Sequence, residues 1–222
     1  MVINMSYSIA IDGPAGAGKS TIAKLIAKKK GYIYVDTGAM YRAMALYFIE
    51  SGISSEDSAA ISAASKDVDV TIKYENGEQI VFLNGRNVNG LIRQEEVGKM
   101  ASCSSANKDV REKLVELQRA LANKESVVMD GRDIGTCVLP NADVKVYLTA
   151  SSHVRAKRRY EELKAKNIEC DIETIEKDII DRDYQDMNRE ISPLKQAPDA
   201  VLLDSSDMTI EQVADAIIDL CK

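Results

Sequence analysis

Histidine and cysteine are scarce in this sequence, and their scarcity excludes several kinds of site. His153 is the only histidine in 222 residues, so neither a His-based catalytic triad nor a histidine-rich metal site is expected. We expect His153 itself at the surface or as a helix cap. The four cysteines are far apart and form no C-x-x-C pair, which indicates reduced thiols and not a disulfide framework or a zinc site.

Long apolar runs and an excess of positive charge are also missing. No segment approaches the ~18 apolar residues of a membrane helix, and the N-terminus lacks the basic and apolar regions of a signal peptide. The formal charge of −6 argues against a general nucleic-acid surface. With 45% apolar and 29% charged residues, the composition is typical of a folded globular chain. We therefore expect a single cytoplasmic domain over residues 1–222, monomeric, with no membrane or nucleic-acid partner.

The most specific motif is a glycine-rich loop between an apparent strand and an amphipathic helix. Its spacing is Gly, four residues, Gly-Lys-Ser. In this setting, backbone N–H groups and the positive end of the helix dipole surround a polyphosphate. Lys19 would reach the outer phosphates, and the Ser20 hydroxyl would hold a Mg²⁺ ion. The sequence thus predicts a nucleoside triphosphate site formed by Gly13, Pro14, Ala15, Gly16, Ala17, Gly18, Lys19 and Ser20.

Strand and helix patterns alternate along most of the chain, which predicts an α/β fold with a parallel sheet. Five short, nearly continuous apolar segments are typical of strands covered on both faces: residues 8–12, 33–35, 126–130, 144–148 and 201–204. The last predicted helix has one apolar stripe, with Thr209 and Gln212 in the spacing of a capping box.

One segment interrupts this alternation and predicts an inserted antiparallel sheet. Residues 68–74 alternate between apolar and polar, Asn76-Gly77 is a strong hairpin signal, and residues 80–83 form the return strand. Asn84-Gly85 then leads into a brief strand near Val88. From the pattern alone, a surface sheet without function and a flap beside a substrate are equally compatible.

Two arginines follow core strands at their carboxyl ends. Residues 36–42 read Asp-Thr-Gly-Ala-Met-Tyr-Arg after the second predicted strand, and residues 130–133 read Asp-Gly-Arg-Asp after the third. Ligands of open α/β sheets bind at this edge, and the planar guanidinium grips phosphate with two hydrogen bonds. The sequence therefore predicts that Arg42 and Arg132 reach the same edge of the sheet.

Further arginines lie on two predicted helices. Helical spacing of i, i+3 and i+4 puts three of them on one face: Arg155, Arg158 and Arg159. A solvated charged face would show the same spacing. On the second helix, spacing of i, i+4 and i+7 aligns Arg182, Asp186 and Arg189. A surface Arg–Asp pair needs no function, so the additional Arg189 is what indicates a site.

Together these segments resemble the bacterial cytidylate kinases, within the nucleoside-monophosphate kinases. The resemblance extends from Ile9 to about Leu220. It is carried by residues 11–21, 36–42, 130–136 and 182–189. A phosphate loop is shared by many families, whereas Asp-Thr-Gly-Ala-Met-Tyr-Arg together with Gly-Arg-Asp-Ile-Gly-Thr is far more selective. Departures occur at Cys137, Leu139 and Asn141, where the family often has Val, Phe and Asp.

The resemblance implies a P-loop NTPase-type parallel five-stranded sheet flanked by helices, with a small inserted antiparallel β subdomain and a helical lid. It also implies a reaction in which ATP and CMP or dCMP give ADP and CDP or dCDP, with Mg²⁺. The loop, now extended to Thr21, would bind ATP. The acceptor nucleotide would be bound by Thr37, Arg42, Ser102, Arg111, Arg132, Asp133, Arg182, Asp186 and Arg189. Transfer would be assisted by Lys19, Arg132, Arg155, Arg158 and Arg159.

The resemblance further assigns the insertion, about residues 67–92, to binding of the monophosphate, and about residues 151–170 to the lid over ATP. Two alternatives stay open. A kinase of the same fold could act on UMP, AMP or shikimate, because Ser102, Arg111 and Asp133 favour cytosine only through the resemblance. A non-catalytic nucleotide-binding or switch protein would bind nucleotide tightly without turnover, although the Asn-Lys-x-Asp segment of GTPases is missing.

Overall fold

A computed structural model describes residues 6–75 and 77–221. The strands are β1 Ser8–Asp12, β2 Ile33–Asp36, β3 Val70–Glu75, β4 Glu78–Leu83, β5 Arg86–Asn87, β6 Val127–Gly131, β7 Val144–Thr149 and β8 Val201–Asp204. The helices are α1 Lys19–Lys30, α2 Thr37–Glu50, α3 Ser58–Asp67, α4 Glu95–Ser104, α5 Lys108–Ala122, α6 Ser152–Ala165, α7 Ile172–Asn188 and α8 Ile210–Ile218. None of the helices in the described part of the chain has both the length and the apolar character that crossing a bilayer requires.

The central sheet has five parallel strands in the order β2-β6-β1-β7-β8. All five predicted core strands are confirmed, with shifts of one residue at some ends. Side chains alternate between two apolar layers: Ile9 and Ile11 pack with α1 and α8, and Ala10 packs with α2. Both faces are therefore covered, which explains why these strands are almost continuously apolar. The carboxyl ends of β1, β2 and β6 meet at one edge.

The inserted segment forms a separate antiparallel sheet in the order β3-β4-β5. The second predicted turn is confirmed, since Asn84 and Gly85 both have positive φ, at 49° and 78°. The predicted turn residue Asn76 lies outside the described residues. The last strand is Arg86–Asn87, slightly before the predicted position, and buried Val88 follows it. The middle strand of this small sheet, β4, packs against α2 and β2.

The helix ends agree with the sequence at two sites and correct it at one. Thr209 and Gln212 form the predicted capping box at the start of α8. At α6, Ser151 is the cap and His153 is exposed. Helix α7 ends at Asn188, so the prediction that Arg189 continues its face is wrong. Leu194 N–H donates to the Asp186 carbonyl at 2.8 Å, which takes an acceptor that a longer helix would use.

Candidate functional site

The phosphate loop, residues 13–21, connects β1 to α1 and passes very close to β7. Gly13 has φ of +148°, and a Cβ there would lie 1.9 Å from the Leu148 carbonyl oxygen. Only glycine fits this approach. Gly18 has φ of +88° and is the cap residue before α1. The glycines therefore allow a tight loop whose exit is the N-terminus of a helix, the geometry that favours anions.

Lys19 points back into the loop. Its Nζ donates to the Pro14 carbonyl at 2.7 Å, and the side chain is buried. Burial lowers the pKa of Lys19, and the charge of Arg132 lowers it further, while Asp130 and Asp12 oppose the shift. The ammonium is thus held at the mouth of the loop, close to the arginine that follows β6.

Asp130, at the end of β6, is the centre of a hydroxyl network. Ser20 Oγ donates to Asp130 Oδ2 at 2.9 Å, and Tyr34 OH donates to Oδ1 at 2.8 Å. Thr37 Oγ1 donates to the Asp130 backbone carbonyl at 2.7 Å. Burial and the charge of Asp36 raise the pKa of Asp130, against the opposing effects of Lys19 and the two hydroxyl donors. The Asp130 carboxylate therefore connects the start of α1 to β2, and the Asp130 carbonyl connects β6 to the start of α2.

Asp12, at the end of β1, holds the loop that carries Arg132 and Asp133. Its two oxygens accept from Ile134 N–H and Gly135 N–H, both at 2.7 Å. These donors belong to a single π-helical turn, Ile134–Val138. Burial raises the pKa of Asp12 to about 6 even though both hydrogen bonds lower it. The side chain positions the arginine loop against the phosphate loop.

Asp12 should make stability depend on pH. Its pKa lies near 3.8 when the chain is unfolded and about 6 when it is folded. The folded state therefore binds the Asp12 proton more tightly than the unfolded state does. The free energy of unfolding gained from this binding is fully present below the unfolded pKa and is lost as pH rises through the folded pKa. We expect the unfolding free energy of wild type minus that of Asp12→Asn to fall by at most ~1.4 kcal/mol per unit between about pH 4 and about pH 6. Urea unfolding across pH measures this difference; a difference that rises with pH would contradict it.

An arginine cluster, defined as Arg42, Arg93, Arg132 and Arg182, forms at the carboxyl edge of the sheet. Burial lowers the pKa of Arg42, and the charges of the other three add to this effect. Among the described residues, direct ion pairs join Arg93 to Asp36 at 2.6 Å and Arg132 to Asp186 at 2.7 Å. The four guanidinium groups of the cluster are thus directly bonded to two carboxylates. The excess positive charge gives this edge a positive potential that would attract an anion.

The pairing partner Asp186 is strongly stabilised as a carboxylate. Although burial alone would raise its pKa, the charge and hydrogen bond of Arg132 hold that pKa below its usual range. Arg182 Nε is buried and has no hydrogen-bond partner among residues 6–75 and 77–221. A free donor in this position can bind a ligand oxygen.

A second group, the Asp133 cluster, consists of Asp133, Arg111 and Arg189. Arg111 Nη2 forms a buried, very close ion pair with Asp133 Oδ2. Arg189 Nη2 lies 3.5 Å from Asp133 Oδ1, without a hydrogen bond to any described residue. Arg111 also lies 5.9 Å from the ring centre of Tyr41, whose pKa burial raises to about 12. The cluster offers a carboxylate and a free donor side by side.

The remaining predicted residues lie in different settings. Ser102 is half-buried on α4, and its hydroxyl makes no hydrogen bond within the described ranges. Arg155 is buried against the phosphate loop: Nη1 donates to the Ala15 carbonyl at 2.9 Å, and Nη2 pairs with Asp183 at 2.7 Å. This contact fastens α6 and α7 to the loop.

Arg158 and Arg159 do not share the surroundings of Arg155. Arg158 Nη2 donates to the Ser205 carbonyl at 2.8 Å and lines a cavity of about 580 Å³ beside the phosphate loop. Arg159 is exposed, and among the described residues its ion pair is with Glu162, at 3.1 Å. The three arginines that were predicted to share a face therefore lie in three environments: Arg155 is buried, Arg158 lines a cavity and Arg159 faces solvent.

Sequence reasoning missed three charged residues of this edge. Asp12 is the last residue of β1 and Asp130 the last but one of β6, and that position was a usable signal, because ligands bind at the carboxyl edge of such sheets. Arg93 lies in the connection between β5 and α4, where no pattern distinguishes it from a surface arginine. Its place in the arginine cluster follows only from the fold.

Comparison with known proteins gives a consistent result. The family model described as cytidylate kinase matches residues 9–222. A cytidylate kinase of Caldicellulosiruptor saccharolyticus is 51% identical over 213 residues, covering 96% of this chain and 94% of that protein. One of Lactobacillus gasseri is 50% identical over 218 residues, covering 98% and 95%. A crystal structure of an uncharacterized protein from Eubacterium ventriosum has a TM-score of 0.54 at 13% identity, covering 96% of this chain and 97% of that one, and supports the fold alone.

Proposed function

This chain belongs to the cytidylate kinase family, whose enzymes phosphorylate CMP with ATP, and we propose that it uses Mg²⁺–ATP and accepts both CMP and dCMP. The observation that carries the proposal is the closeness of the arginine cluster to Lys19. Lys19 follows β1 and Arg132 follows β6, which is hydrogen-bonded to β1 with Asp12 opposite Gly131, so the two cations lie at the same carboxyl edge of the sheet. Two phosphate groups brought together for transfer would need such a pair of positive sites.

On the donor side, the phosphate loop would hold the ATP phosphates through its backbone N–H groups and Lys19. The cavity of about 580 Å³ is lined by the loop, Arg158, Ser205, Met208 and Val213. Its partly apolar lining suits the adenosine portion. Arg155 would keep the loop in shape through its bond to Ala15, and Arg158 would lie beside ATP. A contribution from Arg159 would require movement of α6 towards the donor, as expected for a lid at about residues 151–170.

On the acceptor side, Thr37, Arg42, Arg132 and Arg182 would bind the monophosphate. Phosphoryl transfer spreads charge over the three equatorial oxygens of the transferred group while the attacking and leaving oxygens lie in line, so preorganised cations are the main source of catalysis. Asp186 orients Arg132 through its 2.7 Å ion pair. The acceptor phosphate is already anionic at neutral pH, so no general base is required.

The metal site expected at Ser20 fits the residues around it. The Ser20 hydroxyl and the Asp130 carboxylate lie 2.9 Å apart, and Mg²⁺ prefers oxygen ligands from one or two side chains together with substrate phosphates. Within the described ranges, no cluster of three or more His, Cys, Asp or Glu side chains could hold a metal alone. Ser20 and Asp130 would therefore hold Mg²⁺ that arrives with ATP, and the ion would neutralise phosphate charge.

Recognition of cytosine would rest on the Asp133 cluster. Cytosine presents an amino donor beside a ring acceptor, while uracil presents the reverse pattern. The carboxylate of Asp133 can accept from the amino group, and Arg111 and Arg189 can donate to the ring. Ser102 would join them on the α4 side. The inserted sheet at about residues 67–92 would close over the monophosphate, and the chain would act as a monomer.

The test is an assay of ADP release with Mg²⁺–ATP and one acceptor at a time: CMP, dCMP, UMP, AMP or shikimate. Turnover with CMP and dCMP far above UMP is expected. Turnover restricted to AMP or shikimate would reject the proposed acceptor, and tight ATP binding without any acceptor-dependent turnover would reject catalysis.

A further inference from the structure

The side chain of Gln79 completes the hydrogen bonding of an edge strand. Strand β2 lies at the end of the five-stranded sheet, where backbone groups lack a neighbouring strand. Gln79, on β4 of the inserted sheet, accepts from Asp36 N–H at 2.9 Å and donates to the Asp36 carbonyl at 3.2 Å. A single amide side chain thus makes both bonds that a neighbouring strand would make.

The residue held in this way connects several parts of the acceptor side. Asp36 Oδ1 accepts from Ala39 N–H at 2.9 Å and caps α2, while Oδ2 pairs with Arg93. The backbone of Asp36 is therefore held by Gln79 of the inserted sheet, and its side chain is held by Arg93 and by the start of α2. The first two turns of α2 carry Thr37 and Arg42. Any rotation at Asp36 would move both of these side chains.

We propose that Gln79 is a positioning residue for the acceptor phosphate, setting the orientation of the α2 N-terminus through Asp36. The inference rests on the proposed function, because it presumes that Thr37 and Arg42 bind the monophosphate. Gln79 does not need to touch the substrate. Small displacements of binding groups weaken substrate alignment strongly, and two hydrogen bonds are enough to hold or release this helix start.

The test compares Gln79→Met with wild type. Methionine keeps the length and apolar body of the side chain but removes both hydrogen bonds. We expect KM for CMP to rise about tenfold, the effect of losing roughly one to two net hydrogen bonds, while KM for ATP stays within about twofold. Isothermal titration calorimetry of CMP, without ATP, should show the same weakening. Gln79→Glu should be at least as impaired, because it loses the donor and brings a carboxylate beside Asp36.

Gln196→Met is the matched control, since Gln196 is an exposed glutamine outside the inserted sheet and its amide donates to the nearby Ala200 carbonyl, so both KM values should stay unchanged. Melting temperatures of all variants separate folding from positioning. A lower melting temperature with unchanged affinity for CMP would overturn the inference, and so would equal increases in both KM values. If wild type itself fails to phosphorylate CMP, the proposed function is rejected; if wild type is active and Gln79→Met matches it, only the positioning role is rejected.

Discussion

Lys19→Ala is expected to lower kcat for phosphoryl transfer from ATP to CMP by about 10²–10³-fold, the effect of removing one preorganised donor from a developing charge. Lys19 is buried, donates to the Pro14 carbonyl, and lies at the same edge of the sheet as Arg132. Its cation therefore lies where donor and acceptor phosphates would meet. Because the transition state redistributes charge over the oxygens of the transferring and leaving groups, where Lys19 would donate, kcat should fall more than KM rises. Initial rates at saturating ATP and CMP measure the effect.

Lys28→Ala is a suitable control for this variant. Lys28 is exposed in the last turn of the same helix, so its removal changes the net charge equally without entering the loop. We expect its rate to remain within about twofold of wild type, as for a surface substitution. An unchanged rate for Lys19→Ala, in a variant that is folded by its melting temperature, would remove Lys19 from catalysis.

The central sheet was predictable because each of its strands can be identified from its own stretch of sequence. Strands buried on both faces must be apolar along their whole length, and the segments around Ile9, Val128 and Val146 meet this requirement without help from distant residues. The phosphate loop is local in the same sense. Gly13 must be glycine because the Leu148 carbonyl is so near, and the spacing to Lys19 is fixed by the turn into α1.

Much of the candidate site was not predictable, because its contacts join distant parts of the chain. Gln79 bonds to Asp36 across 43 positions, and Asp12 accepts from Ile134 across 122. No periodicity marks such pairs. Arg189 shows a related error: helical spacing extended α7 by one residue, whereas the carbonyl of Asp186 bonds to Leu194 and the helix ends first. Spacing predicts which residues share a face, and tertiary hydrogen bonds decide where the face stops.

Asp133→Asn is expected to lower the ratio of kcat/KM for CMP to that for UMP by about 10–10²-fold, with KM for ATP almost unchanged. A carboxylate can only accept from the cytosine amino group, whereas an amide can also turn its NH₂ towards the uracil oxygen. Asparagine is a better test than alanine, because Asp133 is paired with buried Arg111. Asparagine keeps an oxygen that can accept from Arg111, whereas alanine would leave that buried cation with neither a counter-charge nor an acceptor, at a cost of about 3–5 kcal/mol of folding free energy.

The measurement is kcat/KM for wild type and variant with CMP and with UMP, each at several concentrations. Asp178→Asn is the control for charge, because Asp178 is an exposed carboxylate on α7. If Asp133→Asn keeps the wild-type ratio while the protein stays folded, Asp133 does not recognise the base, and its carboxylate serves only to neutralise Arg111 and Arg189. If instead the activity with UMP rises as that with CMP falls, the carboxylate is the group that excludes uracil. That reciprocal change is the stronger criterion, because loss of CMP activity alone would also follow from misplacing Arg111.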